Sequence, residues 1–205
     1  MEYLASVVGL SGSGKSTAIT GARALLAKEG VTSASFHDRT SDPESAKLDF
    51  LLQTADLSPE ARMHLILATR RQVIDRQITP SLRQHDVTIT DRYYPCTIAY
   101  QAYGEGLDRN MVTQAAVAAA HGALPNRVFL LDIPADVAKQ RMQARAEPQQ
   151  IFDAEELAFH ARVRQGYLDQ AAANEQFTVI DALTSRETVA RFIADTISYD
   201  LHSSG

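Results

Sequence analysis

Apolar and polar positions along this chain follow two alternating periods. Short runs rich in β-branched and aliphatic residues recur five times: Tyr3-Leu4-Ala5-Ser6-Val7-Val8, Val31-Thr32-Ser33-Ala34-Ser35-Phe36, Asp86-Val87-Thr88-Ile89-Thr90, Arg127-Val128-Phe129-Leu130-Leu131-Asp132 and Phe177-Thr178-Val179-Ile180-Asp181. Their length and flanking turn residues predict strands. Helical spacing fills the intervals. Thr17 to Leu26 suits a helix laid on a sheet, and Ser58 with Pro59 marks the cap and first turn of a long one. In that helix Leu65, Ile66, Ala68, Val73, Ile74 and Ile78 form an apolar stripe that Arg70, Arg71 and Arg76 interrupt before Pro80. Val112 to His121 is alanine-rich and stopped by Gly122 and Pro125, Pro134 to Arg145 and Glu155 to Ala173 are helical, and Ser185-Arg186-Glu187-Thr188 caps a final helix. Leu201 to Gly205 reads as a frayed tail. Strands alternating with helices define an α/β domain.

The chain's 205 residues fit one domain, 1–205, with no internal repeat or linker. The lone Cys96 cannot form an internal disulfide, and no leader-like segment opens the chain, so a cytoplasmic location is the expectation. No apolar stretch approaches membrane-spanning length. A net charge of −5 argues against a broad nucleic-acid surface while leaving room for a local basic cleft. The six histidines lack metal-ligand spacing, so any metal would arrive with a nucleotide.

One stretch carries chemistry directly. Gly9-Leu10-Ser11-Gly12-Ser13-Gly14-Lys15-Ser16-Thr17 follows the first strand and opens the first helix, which is the context of a phosphate-binding P-loop and not of a linker. Glycines let successive backbone N–H groups turn inward around phosphates, Lys15 would reach the β- and γ-phosphates of ATP, and Ser16 would ligate Mg²⁺. Other candidates lie at carboxyl ends of strands, where open α/β sheets hold ligands. Arg39, in the polar loop His37 to Pro43, is either a phosphate ligand or a solvated arginine. Asp91-Arg92 follows the third strand; the acid could hold Mg²⁺ water or orient the attacking group, and the arginine could fork onto phosphate, or the two could close the strand as an ion pair. Thr97, Tyr100, Gln101 and Tyr103 offer contacts to a base or sugar, or they are core. The basic, Pro-broken segment at about 141–156 reads as a lid or as an ordinary exposed hairpin.

In their order these motifs resemble the thymidylate kinase family over nearly the whole chain. The carrying residues are the P-loop, Leu57-Ser58-Pro59-Glu60-Ala61, Arg70, Asp91-Arg92-Tyr93 with Ala99-Tyr100-Gln101, Leu130-Leu131-Asp132-Ile133-Pro134, Arg141 and Arg145, and Phe159 with Val163, Arg164 and Tyr167. The resemblance implies a five-stranded parallel sheet flanked by helices, ATP·Mg²⁺ on the P-loop, and a pyrimidine deoxynucleoside monophosphate opposite, most naturally dTMP. It also implies roles. Arg92 and Arg39 would hold the acceptor phosphate, Arg70 would face the pyrimidine carbonyl, Tyr100 would pack beside the deoxyribose, and Thr97 would contact the base. Because Ser13 leaves the P-loop without an arginine, Arg145 with Arg141 becomes the catalytic lid candidate. Family members often pair, so a homodimer is a further expectation.

Four departures qualify the pocket. Ser11 stands where the family usually has aspartate, and Ile66 stands where an aromatic usually stacks on the base. Arg39-Thr40-Ser41-Asp42-Pro43 replaces an Arg-Glu-Pro-Gly-Gly stretch, and Gln149-Gln150 occupies the place of a frequent Asp-Arg pair. Ser11 and Ile66 keep open a related kinase redirected to a modified nucleotide, free or as a hydroxymethylpyrimidine within DNA. A P-loop ATPase without an acceptor is the alternative of another class. No Asn-Lys-x-Asp or Asp-x-x-Gly motif marks a GTPase, and no apolar strand ends in the Asp-Glu of a motor ATPase.

Overall fold

The computed structural model describes residues 2–144 and 152–203. Its five strands, β1 (Tyr3–Val8), β2 (Ser33–His37), β3 (Val87–Asp91), β4 (Arg127–Asp132) and β5 (Phe177–Asp181), form one all-parallel sheet in the order β2-β3-β1-β4-β5. The central strand β1 is buried along its whole length, as a parallel strand covered on both faces must be. Its side chains serve both faces: Leu4 joins the cluster built with helix α3 (Pro59–Val73) and helix α6 (Arg109–Ala119). Tyr3, Ala5 and Val7 join the one built with α1 (Lys15–Lys28) and α9 (Arg186–Ser203).

Strand order steps outward from β1 in both directions, so the carboxyl ends of β1, β3 and β4 meet at a crevice where the order reverses. The P-loop, Asp91-Arg92 and the segment after Asp132 all leave from that edge. His37-Asp38-Arg39 leaves β2 beside them, and the backbone N–H of Asp38 donates to the Asp91 carbonyl at 3.2 Å.

Several elements differ from the sequence expectation. The second strand runs Ser33–His37 and not from Val31, because the Val31 N–H closes the end of α1 on the Leu26 carbonyl. A helix the hydrophobic pattern left unassigned, α2 (Pro43–Thr54), is started by Asp42. Its carboxylate accepts from the N–H groups of Glu44 and Ser45 at 3.1 and 3.0 Å, with Pro43 in the first turn. The long helix also does not stop before Pro80. It passes through a π-helical segment, Ile74–Ile78, into α4 (Thr79–Leu82), where Pro80 falls in a first turn and needs no hydrogen-bonded N–H. In α3 the buried stripe is Met63, Ile66, Leu67, Thr69, Arg70 and Val73, so Ala68 faces out and Arg70 faces in. The remaining helices are α5 (Tyr94–Thr97), continued by a second π-helical segment Ile98–Gly104, α7 (Ala135–Gln143) and α8 (Leu157–Ala173). Arg145, Gln149 and Gln150 lie outside the described residues, as does most of the expected lid's centre.

Candidate active site

The loop between β1 and α1 is shaped by glycine. Gly9, Gly12 and Gly14 have φ of 141°, 85° and 93°, and a Cβ at Gly12 would sit 2.8 Å from the Ala138 carbonyl oxygen. This left-handed backbone aims N–H groups into the concavity at the start of α1, whose first turn carries no acid to oppose an anion. Lys15 is buried, its Nζ donating to the carbonyls of Gly9 and Leu10 at 3.2 and 2.9 Å, which keeps the ammonium over the loop. Ser16 Oγ donates to Asp91 Oδ2 at 2.6 Å. The two expected metal ligands, 75 residues apart in sequence, are thereby adjacent. A hydroxyl and one carboxylate suit Mg²⁺, which keeps several waters and takes its other oxygens from phosphates.

On one side of the P-loop an open cleft of about 1200 Å³ is lined by Gly12, Ser13, Gly14, Thr17, Arg141 and Arg186, among others. Arg141 reaches back to the loop, its Nη1 donating to the Gly12 carbonyl at 3.4 Å. Arg186, which sequence reasoning treated only as part of a helix start, also borders this cleft.

On the other side lies a second, tighter pocket. Every expected acceptor residue lines it: Arg39, Ile66, Arg70, Arg92, Thr97, Tyr100 and Gln101. Ser11, expected among the donor-site residues, lines it too, so the middle of the P-loop is the wall between the two spaces. Arg92 Nη2 donates to Ser11 Oγ at 3.0 Å, and the guanidinium carbon lies 5.9 Å from the Tyr100 ring centroid. Arg92 is the one non-glycine residue with positive φ among the described residues, at 70°. Strain of roughly 1–3 kcal/mol at such a residue typically marks a functional position. Arg39 is buried and pairs with Asp49 of α2 at 3.0 Å, so it is no solvated arginine. Tyr100 and Gln101 sit in the π-helical segment Ile98–Gly104, a distortion common at functional sites. Gln101 Nε2 donates to Glu105 Oε2 at 2.9 Å. Tyr103, in the same segment, is partly buried and donates its hydroxyl to Asp169 at 2.9 Å, and it is not among the cavity-lining residues.

Arg70 separates sharply from its neighbours. It is 1% exposed, donates Nε and Nη2 to Asp38 Oδ2 at 3.1 and 2.8 Å, and donates Nη1 to Thr97 Oγ1 at 2.7 Å. Arg71 instead pairs with Asp75 on the surface, and Arg76 is exposed. Burial pushes the Asp38 carboxyl up, but Arg70, helped by His37 and Arg39, outweighs it and holds the group below the ordinary carboxylate range. Asp38 was not singled out by sequence reasoning, nor were Phe152 and Asp153, which also line the cavity. Phe152 contacts the Tyr100 ring at a centroid distance of 5.1 Å and stacks on Phe159 at 5.5 Å. Where Ile66 provides only an aliphatic wall, an aromatic thus enters from the lid region.

A P-loop on a parallel sheet, with a cleft on one side and a pocket lined by Arg39, Arg70 and Arg92 on the other, has the makings of a P-loop phosphotransferase. Comparison with known proteins specifies the family. The family model described as thymidylate kinase matches residues 7–193. Proteins named thymidylate kinase from Nitratidesulfovibrio vulgaris (strain DP4) and Solidesulfovibrio magneticus are 36% and 38% identical to it, covering 93% and 90% of this chain and 89% and 93% of their own. One from Syntrophotalea carbinolica is 35% identical across 100% of this chain and 99% of its own. The chain belongs to the thymidylate kinase family, and its class is that of the nucleoside monophosphate kinases. Among the described residues no helix is long and apolar enough to cross a membrane.

Proposed function

We propose that this chain transfers the γ-phosphoryl group of ATP to dTMP, giving dTDP and ADP, as a step of nucleotide biosynthesis. Relatives that carry the name along nearly their whole length support this acceptor over a base within DNA, and they give no support to an acceptor-free ATPase. The observation that carries the reading is the shared wall: Ser11 faces the cavity while Gly12 to Gly14 face the cleft. An acceptor phosphate held by Arg92 would therefore meet the γ-phosphate across the P-loop.

Phosphoryl transfer asks the protein mainly for alignment and charge neutralisation. In this reading Lys15 and the loop N–H groups grip the donor phosphates. Arg92 and Arg39 neutralise the acceptor phosphate. Arg70 and Thr97 face the base, Tyr100 packs beside the sugar, and Ile66 with Gln101 closes the pocket. Ser16 and Asp91 would hold Mg²⁺, which supplies charge neutralisation between the phosphates. Arg141 flanks the donor cleft, and Arg145 is the arginine that would reach the transferred group from the lid.

The buried free thiol of Cys96 suits a reducing cytoplasm, which we take as the setting. Pairing of two copies, expected from the family, is tested by light scattering. The reaction itself is tested by incubating the protein with ATP·Mg²⁺ and a panel of nucleoside monophosphates and oligonucleotides, identifying products by chromatography. The expected product is dTDP; a labelled oligonucleotide in its place would contradict the reading.

A further inference from the structure

Glu105 follows the π-helical segment Ile98–Gly104 and is tied to both pocket residues of that segment. Its backbone N–H donates to the Tyr100 carbonyl at 2.8 Å, closing the π-helical turn, and its Oε2 accepts from Gln101 Nε2 at 2.9 Å. Its other oxygen, Oε1, accepts from Nη1 of Arg62 on α3. Arg62 in turn donates Nη2 to the Leu57 carbonyl at 3.0 Å, and its guanidinium carbon lies 5.7 Å from the Phe152 ring centroid, within reach of a cation–π contact. Arg62 and Glu105 are not among the pocket-lining residues, yet the pair touches Tyr100, Gln101 and Phe152, which are.

Stability does not account for an ion pair in this place. The Arg62 and Glu105 side chains are 20% and 6% exposed, and taking two charges out of water costs about what their attraction returns. Apolar residues of similar volume commonly hold a fold as well or better. What an apolar pair cannot do is direct hydrogen bonds. A carboxylate only accepts, so Glu105 fixes which end of the Gln101 amide turns toward it. Arg62 anchors that carboxylate and braces an aromatic ring that arrives from a separate stretch of chain. We propose that Glu105 and Arg62 are positioning residues for the acceptor nucleotide: Glu105 sets the rotation of the Gln101 amide, and Arg62 holds the Phe152 ring at the pocket. This rests on the reading of the pocket as the acceptor site.

The test replaces the pair by apolar side chains, Arg62→Met with Glu105→Met, and measures melting temperature together with initial rates as dTMP and ATP are varied in turn. The expected double variant melts at or above the wild type, while its KM for dTMP rises roughly 10-fold, the scale of coupling between contacting residues. Its KM for ATP stays at the wild-type value. A KM for dTMP within about twofold of the wild type, or a rise shared equally by ATP, would show the pair to be structural only and would overturn the proposal. Should the double variant fail to fold, Arg62→Lys decides, because it keeps the charge and loses the planar fork. A smaller rise confined to the KM for dTMP is expected, and no rise or an equal one for ATP overturns the proposal. A wild type that turns over dTMP, with a variant KM that does not move, refutes the positioning role alone. A wild type that phosphorylates no pyrimidine nucleotide refutes the acceptor reading as well.

Discussion

Replacing Arg70 by methionine should convert Asp38 from a stabilising group into a destabilising one, with a pH signature that isolates the cause. Arg70→Met keeps an unbranched chain but removes both bonds to Asp38 Oδ2 and the bond to Thr97 Oγ1. A carboxylate that is 1% exposed then loses its paired cation, with only His37 and Arg39 left to favour its charge. Stranding one partner of a buried pair costs about 3–5 kcal/mol. At roughly 2–4 °C per kcal/mol for a domain of this size, the melting temperature should drop by about 6–20 °C at pH 7. In the wild type Asp38 titrates below its unfolded value, so its contribution is complete above the ordinary carboxylate range and is lost as pH falls through the lower, folded value. In the variant burial, the largest single influence on the group, is opposed only by His37 and Arg39 and raises the pKa, so the folded state binds the proton more tightly than the unfolded chain. Lowering pH from 7 toward 5 should then narrow the gap between variant and wild type. Circular-dichroism melts across that range measure it, and Asp38→Leu combined with Arg70→Met should recover most of the loss. A gap below about 1 kcal/mol, or one that widens on acidification, would refute the reasoning.

Three further outcomes follow from other parts of the molecule. Gly12→Ala places a Cβ at a φ of 85° and 2.8 Å from the Ala138 carbonyl oxygen, so urea unfolding should show a loss of about 1–3 kcal/mol and ATP titration a weaker affinity. Arg145→Ala should lower turnover by about 10³-fold with little change in the KM for dTMP, and equal turnover would remove Arg145 from the catalytic step. His160 is fully buried, and burial, the largest influence on it, lowers its pKa. The unfolded chain therefore takes the proton first, stability should fall below about pH 6.5 by at most about 1.4 kcal/mol per pH unit, and His160→Leu should flatten that limb in melts between pH 7 and 5.

The reach of the sequence was uneven for physical reasons. The P-loop is legible because its function needs glycines, a lysine and a hydroxyl at fixed local spacing, and β1, β3 and β4 are legible as apolar runs because they are buried on both faces. Arg70 could not be told from Arg71 and Arg76 by periodicity, since an arginine in an apolar stripe is read as snorkelling until its partner is known. That partner, Asp38, is 32 residues away on another element. Phe152 was hidden for a similar reason, because it meets Tyr100 only through the return of α8 across the π-helical segment. The helix α2 did carry its signal locally in Asp42-Pro43-Glu44-Ser45, a capping box that hydrophobic periodicity does not register. Pro80 does not end the long helix because a π-helical turn ahead of it places it in the first turn of the next helical segment.

The central claim is that the cleft and the cavity on the two sides of the P-loop act as one phosphoryl-transfer site. Its most direct test is the initial rate of ADP formation by the wild-type protein with ATP·Mg²⁺ as dTMP is titrated in, with dTDP measured in the same samples. The account predicts saturable stimulation by dTMP and one dTDP for each ADP. ADP released at the same rate with and without dTMP, and no dTDP, would contradict it.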